Sequence, residues 1–161
     1  MDQHKPAILT REVEEVLSRL HSIITEEDLS ALAERGYGSL EYIRTVKAEF
    51  TDLVKLALGG QPMSKEAIEK INHASRRSRP LFFELERRWT YETDGPTIDL
   101  AFPMLGQNWA SGRMKECEYD ECRRIYVPPG RGGRPSKYCS NICFDRAVRL
   151  PYQRAHRKGE K

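Results

Sequence analysis

Cys117 and Cys122, with four residues between them, and Cys139 and Cys143, with three, are the only cysteines in this chain of 161 residues. Two close pairs of thiols, 16 residues apart, match a closed tetrahedral zinc site, in which four soft donors converge at about 2.3 Å on one cation. Two disulfides or free thiols are the alternatives that cysteine arithmetic leaves open. The opening stretch MDQHKPAILTREVEEV lacks the apolar core and cleavage site of a secretory signal. A cytoplasmic location is therefore expected, where thiols stay reduced and metal binding is the more usual role of a cysteine set. A segment of about 45 residues with few large apolar side chains also needs a staple in order to fold.

The same segment is the basic part of the chain. Residues 113–161 carry 13 Lys+Arg against 6 Asp+Glu, a net of +7, while residues 1–112 carry 14 against 18, a net of −4. An acidic body with a basic terminal module is the charge footprint of a protein that touches a polyanion, and DNA is the expected partner. A solvated basic tail is the plainer reading. The candidate nucleic-acid contacts are Arg131, Arg134, Lys137, Arg146, Arg149, Arg154, Arg157 and Lys158. Arg131-Gly132-Gly133-Arg134-Pro135 is similar to a minor-groove AT-hook core with one extra glycine, but so short a match is weak and a flexible linker in the zinc loop is the preferred reading.

These residues need elements to position them. RRIYV (123–127) reads as a strand, PPGRGGRPSK (128–137) as a loop, and Ser140 as the cap of a helix with Cys143 in its first turn. The order strand, loop, turn and helix describes a treble-clef-like zinc module. Pro151 is expected to kink or restart that helix.

Upstream, apolar residues recur at helical spacing from Thr10 to Ile24 (Val13, Val16, Leu17, Leu20). A second helix is expected after Thr25, with Leu29 and Leu32 inward and Gly36 as its stop. Ser39 opens the longest, carrying Ile43, Val46, Phe50, Leu53, Val54 and Leu58. Ser64 opens another with Ala67, Ile68, Ile71 and Ala74, ending before Pro80. LFFELERRWTYE (81–92) reads as one strand, Thr93–Pro96 as a turn, and TIDLAF (97–102) as the returning strand. A short helix is expected around Met104–Ser111. The fold class is thus α+β and mostly helical: a helical domain with a β-hairpin, residues 1–112, followed by the small zinc finger, residues 113–161.

No catalytic constellation is present in the body. His21 and His73 lack a second ligand at metal spacing and read as helix histidines, and the carboxylates of REVEE and TEEDL read as solvated faces and caps. No enzyme is expected. No run of 18 apolar residues occurs, so no membrane span is expected.

YCSNICFDRAVRLPYQRAHRK, preceded by C-x4-C, resembles the CGNR zinc finger, whose last two cysteines introduce a short basic helix. YIRTVKAEFTDLVKLALGGQPMSKEAIEKINHASRRSRP is similar to the ABATE domain that precedes that finger, with Ile71-Asn72-His73-Ala74 in its second helix. The resemblance spans about residues 40–158, in the family's order. It implies a bacterial, zinc-binding transcription regulator, with Cys117, Cys122, Cys139 and Cys143 as ligands and Arg146 as the last residue of the signature. Phe144-Asp145 stand where the family has Gly-Asn, and Tyr138 where tryptophan is common. The helical domain would serve as a sensor of a small ligand or a contact for a protein partner. The alternative function is a zinc-stabilised protein-interaction module whose basic face meets an acidic partner. The sequence does not give the oligomeric state.

Overall fold

The first four helices of this chain begin where a serine or threonine closes the first turn. Thr10, Thr25, Ser39 and Ser64 accept the N–H of Val13, Asp28, Tyr42 and Ala67 at 3.3, 3.2, 3.3 and 3.1 Å. Each satisfies one donor that the helix itself cannot pair. The helices so started are α1 (Arg11–Leu17), α2 (Glu26–Glu34), α3 (Leu40–Leu58) and α4 (Lys65–Ala74). The stop after α2 is Gly36 at φ +82°, which lets the Tyr37 N–H reach back to the Leu32 carbonyl at 3.1 Å. The computed structural model describes residues 6–23, 25–128 and 136–157.

The apolar stripes of these helices form the core, centred on α3. Ile43, Val46, Phe50, Leu53 and Val54 are buried, and the Phe50 ring meets Phe102 edge-on at 6.3 Å. Leu17, Leu20, Leu29, Leu32, Ala67 and Ile71 close around them. Each fully buried large side chain contributes about 1.5–3 kcal/mol relative to exposure. Ile68, expected inward, is 42% exposed and lies at the edge of the α4 stripe.

The expected single helix from Thr10 to Ile24 is two pieces. α1 ends at Leu17 and a 3₁₀ turn follows at Leu20–Ser22; Ile24 lies outside the described residues. Ser18 and Ser22 turn their hydroxyls onto the carbonyls of Glu15 and Arg19 at 2.9 and 2.8 Å, competing with the helical ladder.

The β-hairpin is present but placed differently. LFFELERRWTYE is not one strand: β2 (Ser78–Phe83) turns at Glu84–Arg87 and returns as β3 (Arg88–Thr93), with Phe82 opposite Trp89. Arg87 takes a left-handed φ of +49° in that turn. A four-residue turn preserves the alternation of side chains, so the two strands resemble one in sequence. β3 also pairs antiparallel with β1 (Ala7–Ile8), giving a sheet of order β1-β3-β2.

TIDLAF is helical, not a strand. Thr97–Leu100 form a 3₁₀ turn that runs into α5 (Ala101–Ala110). Ile98, Leu100 and Phe102 recur at every second position, the period of a strand, but Asp99 and Ala101 between them are buried as well, which a helical start accommodates. Pro103 is accommodated because it lies in the first turn, where its missing N–H has no intrahelical partner.

After α5 come two short antiparallel strands, β4 (Lys115–Glu116) and β5 (Ile125–Tyr126), then the C-terminal helix. That helix is α6 (Asn141–Phe144), a π-helical turn (Asp145–Arg149) and α7 (Leu150–Arg157). The architecture is α+β and mostly helical, with the four cysteines gathered near the C-terminus.

Candidate metal centre

Cys117 follows β4 and Cys122 precedes β5, so the first pair sits on the turn that joins these strands. Within it the Tyr119 carbonyl accepts the N–H groups of Cys122 and Arg123 at 2.8 and 3.1 Å, and the Cys117 N–H donates to the Arg124 carbonyl at 2.9 Å. Arg123 has a left-handed φ of +49°, and its guanidinium is held by Glu116 at 2.7 Å. The second pair stands at the start of the C-terminal helix. Ser140 caps that helix by accepting the Cys143 N–H at 3.2 Å, which points the positive end of the helix at the sulfurs. The two halves are tied by the Glu118 N–H to the Lys137 carbonyl at 3.0 Å and by the Lys137–Glu118 ion pair at 3.1 Å.

All four Sγ atoms lie within 4.8 Å of one another. Cys122 and Cys139 are 3.7 Å apart and Cys139 and Cys143 are 3.5 Å apart. A tetrahedron of sulfurs about 2.3 Å from its centre has edges of about 3.8 Å, whereas a disulfide closes to about 2.05 Å. All four cysteines are free. The donor set therefore fits a tetrahedral thiophilic cation.

Tyr126 and the half-buried Tyr119 and Tyr138 pack around the sulfurs, and Tyr138 meets the Phe144 ring edge-on at 5.9 Å. Tyr126 also donates its hydroxyl to the Ser136 carbonyl. Burial raises the thiols of Cys122 and Cys139 above the ordinary value. At Cys143 burial pushes up too, but the Ser140 hydroxyl and the neighbouring sulfurs together outweigh it and draw the thiol down. Crowded thiols that resist ionisation are what a cation relieves.

The metal segment is seated on the body through β5. Ile125 is 2% exposed and belongs to the core of the helical body, and its N–H donates to the Ser18 carbonyl at 3.1 Å. Ser18 is where α1 ends, so the break in the helix presents the acceptor. Beside it, His21 lies 3.6 Å from the Glu116 carboxylate, and burial lowers the imidazole below its ordinary value. His21 is thus a packed residue on a 3₁₀ turn, and His73 is exposed on α4. Sequence reasoning did not single out Ser18, His21 or Ile125 as a contact. The one available signal was the short apolar run Ile125-Tyr126-Val127 inside an otherwise basic segment.

The candidate nucleic-acid residues are not gathered equally. Arg146, Arg149 and Arg154 are exposed on the C-terminal helix, with Arg149 3.6 Å from Asp145 one turn earlier. Arg157 ends that helix. Lys137 is set apart from them, paired with Glu118. Arg131, Arg134 and Lys158 lie outside the described residues. The chain is helical from 141 to 157, and the α-helical ladder restarts as α7 at Leu150 with Pro151 in its first turn, in line with the expected restart. The wide π turn just before it, closed by the Leu150 N–H on the Asp145 carbonyl, shifts the hydrogen-bond ladder where proline cannot donate. Residues 148–156 are exposed on every side, among them Val148, Leu150 and Tyr152. No described helix is long and apolar enough to cross a membrane. Comparison with models of known protein families, with curated proteins and with solved structures finds no match.

Proposed function

We propose that the chain is a zinc-dependent DNA-binding protein that regulates transcription, with the helical body as its sensor or interaction domain. The observation that carries this reading is the C-terminal helix. Its first turn holds Cys143 beside the metal centre, and from residue 148 it projects with every described side chain exposed. A metal that fixes one end of such a helix orients Arg146, Arg149 and Arg154 as a rigid array. Guanidinium groups so held suit phosphates and base edges in a major groove. Zinc is the assigned cation because four thiolates favour it, and its coordination is then closed, leaving no position for a reactive water. The metal's role is structural and the protein is not an enzyme. The resemblance of residues 40–158 to an ABATE domain followed by a CGNR finger supports the same reading.

A second reading rests on the same helix. Phe144, Val148, Leu150 and Tyr152 are large, apolar and 41–65% exposed, a composition more typical of protein contacts than of phosphate contacts. In that reading the basic face meets an acidic protein. The deciding experiment is binding of the zinc-loaded chain to mixed-sequence duplex DNA, repeated after chelation. Salt-sensitive binding that chelation abolishes supports the regulator; absence of DNA binding at low salt supports the protein contact.

A further inference from the structure

Away from the metal centre, a cavity of about 600 Å³ opens between α3, α4 and the turn before α5. Asp99, only 2% exposed, forms part of its wall and accepts the Tyr42 phenol hydrogen on Oδ1 at 2.7 Å. Its second oxygen receives no hydrogen bond among the described residues. That oxygen is not among the described side-chain atoms that are both fully buried and unpaired, so it keeps access to the cavity and is open to a partner there. Arg77 lies alongside: a Cβ placed on Gly95 would sit 2.7 Å from Asp99 Oδ2 and 2.9 Å from Arg77 Cδ. Glycine at 95 is what allows the two side chains to converge.

The arginines of the cavity are also unusual. Of the nine arginines in residues 1–112, Arg11, Arg19, Arg35, Arg44, Arg79 and Arg88 each have a carboxylate within 4.0 Å. Among the described residues the exceptions are Arg87, in the hairpin turn, and the adjacent Arg76 and Arg77, both on this cavity. Val46, Phe102 and Ala74 supply an apolar wall, and Glu49 a second carboxylate. Arg76 and Arg77 therefore line the same opening as Asp99 and Glu49, with His73 also in its wall. A simple anion would meet Asp99 and Glu49, and a simple cation would meet both arginines. The volume lies in the range of small-molecule sites.

We propose that this cavity binds a small zwitterion of the α-amino-acid type, its carboxylate against Arg76 and Arg77, its ammonium against Asp99, and its side chain against Val46 and Phe102. Only a ligand carrying both charges complements both pairs. The assignment is independent of the metal and of DNA.

The test is calorimetric titration and thermal melting of the zinc-loaded full chain with the common L-amino acids, one at a time at millimolar concentration. For any that binds, the matching deaminated carboxylate and decarboxylated amine are measured too. At least one amino acid should raise the melting temperature and bind saturably, with either truncated analogue weaker by about tenfold or more. Asp99→Asn keeps an acceptor for Tyr42 and should abolish the preference for the amine. Arg77→Gln should weaken binding of the amino acid and of its deaminated carboxylate while leaving that of the decarboxylated amine unchanged. The proposal is overturned if no amino acid binds, if the deaminated carboxylate binds as well as its parent, or if both variants bind like the unaltered chain.

Discussion

Ile125 donates its N–H to the Ser18 carbonyl at 3.1 Å while its side chain is buried in the core of the helical body. The metal segment is thus attached by a core residue and by a carbonyl that an uninterrupted α1 would have used internally. The C-terminal helix is thus joined to the body through the cysteine cluster at its start and through β5.

Truncating Ile125 should show how much that seat contributes. Ile125→Ala is expected to destabilise the metal-loaded chain by about 2–5 kcal/mol, the usual range for an aliphatic core side chain. Chemical denaturation of both proteins measures it. A fragment of residues 1–112 should fold as a helical domain, but less stably than the whole chain. Equal stability would mean that Ile125 does not serve the core.

Ser140 caps the turn that carries Cys143. Ser140→Ala should cost about 0.5–2 kcal/mol, and it should loosen the metal as well, because the same hydrogen bond orients a ligand. Competition with a colorimetric chelator reads the affinity, and an unchanged value would separate the cap from the site.

Metal binding requires four thiolates from crowded thiols, so loading should release protons and weaken as the pH falls. Titration with cobalt(II), whose tetrahedral thiolate spectrum is intense, follows both. Strong chelation should unfold residues 113–157 and leave most of the helical circular dichroism of the body. Complete loss of helix on chelation would place the body under control of the metal.

Asp99 gives a pH dependence of stability with a definite sign. Burial, its largest influence, raises its carboxyl above the ordinary value in spite of the Tyr42 hydrogen bond and nearby Arg77. The folded chain therefore holds the proton more tightly than the unfolded chain. The resulting stabilisation is complete below the unfolded value of about 3.9 and is lost as the pH rises through the higher folded value. Relative to Asp99→Asn, the unaltered protein should become less stable between pH 4 and neutrality. A stability difference independent of pH would contradict the buried carboxylate.

The sequence made the helix starts legible, because Thr10, Thr25, Ser39, Ser64 and Ser140 announce caps by type and the apolar spacing that follows confirms them. The cysteine cluster was legible for a similar reason, two close pairs being hard to explain otherwise. The hairpin at Glu84–Arg87 was hidden, since its turn keeps the two-residue alternation in phase. TIDLAF resembles a strand because Ile98, Leu100 and Phe102 alternate with Thr97, Asp99 and Ala101, and six residues are too few to show that Asp99 and Ala101 are buried too, in a helix start. The break at Ser18 has a local contributor in the Ser18 and Ser22 hydroxyls, but the use of its free carbonyl by Ile125, more than a hundred positions away, is carried by no local pattern. Pro151 stands in the first turn of α7, a position local rules permit for a restart, but nothing local announces the π turn that joins α7 to α6.

The central claim is that a metal-fixed helix presents arginines to DNA. It is tested most directly by the salt dependence of duplex binding for the zinc-loaded chain and its Arg146→Ala/Arg154→Ala variant. Each phosphate contact contributes a slope of about 0.9 in log affinity against log salt. The variant should lose about 1–2 units of slope and bind many sequences more weakly alike. Unchanged affinity and slope in the variant would contradict the claim.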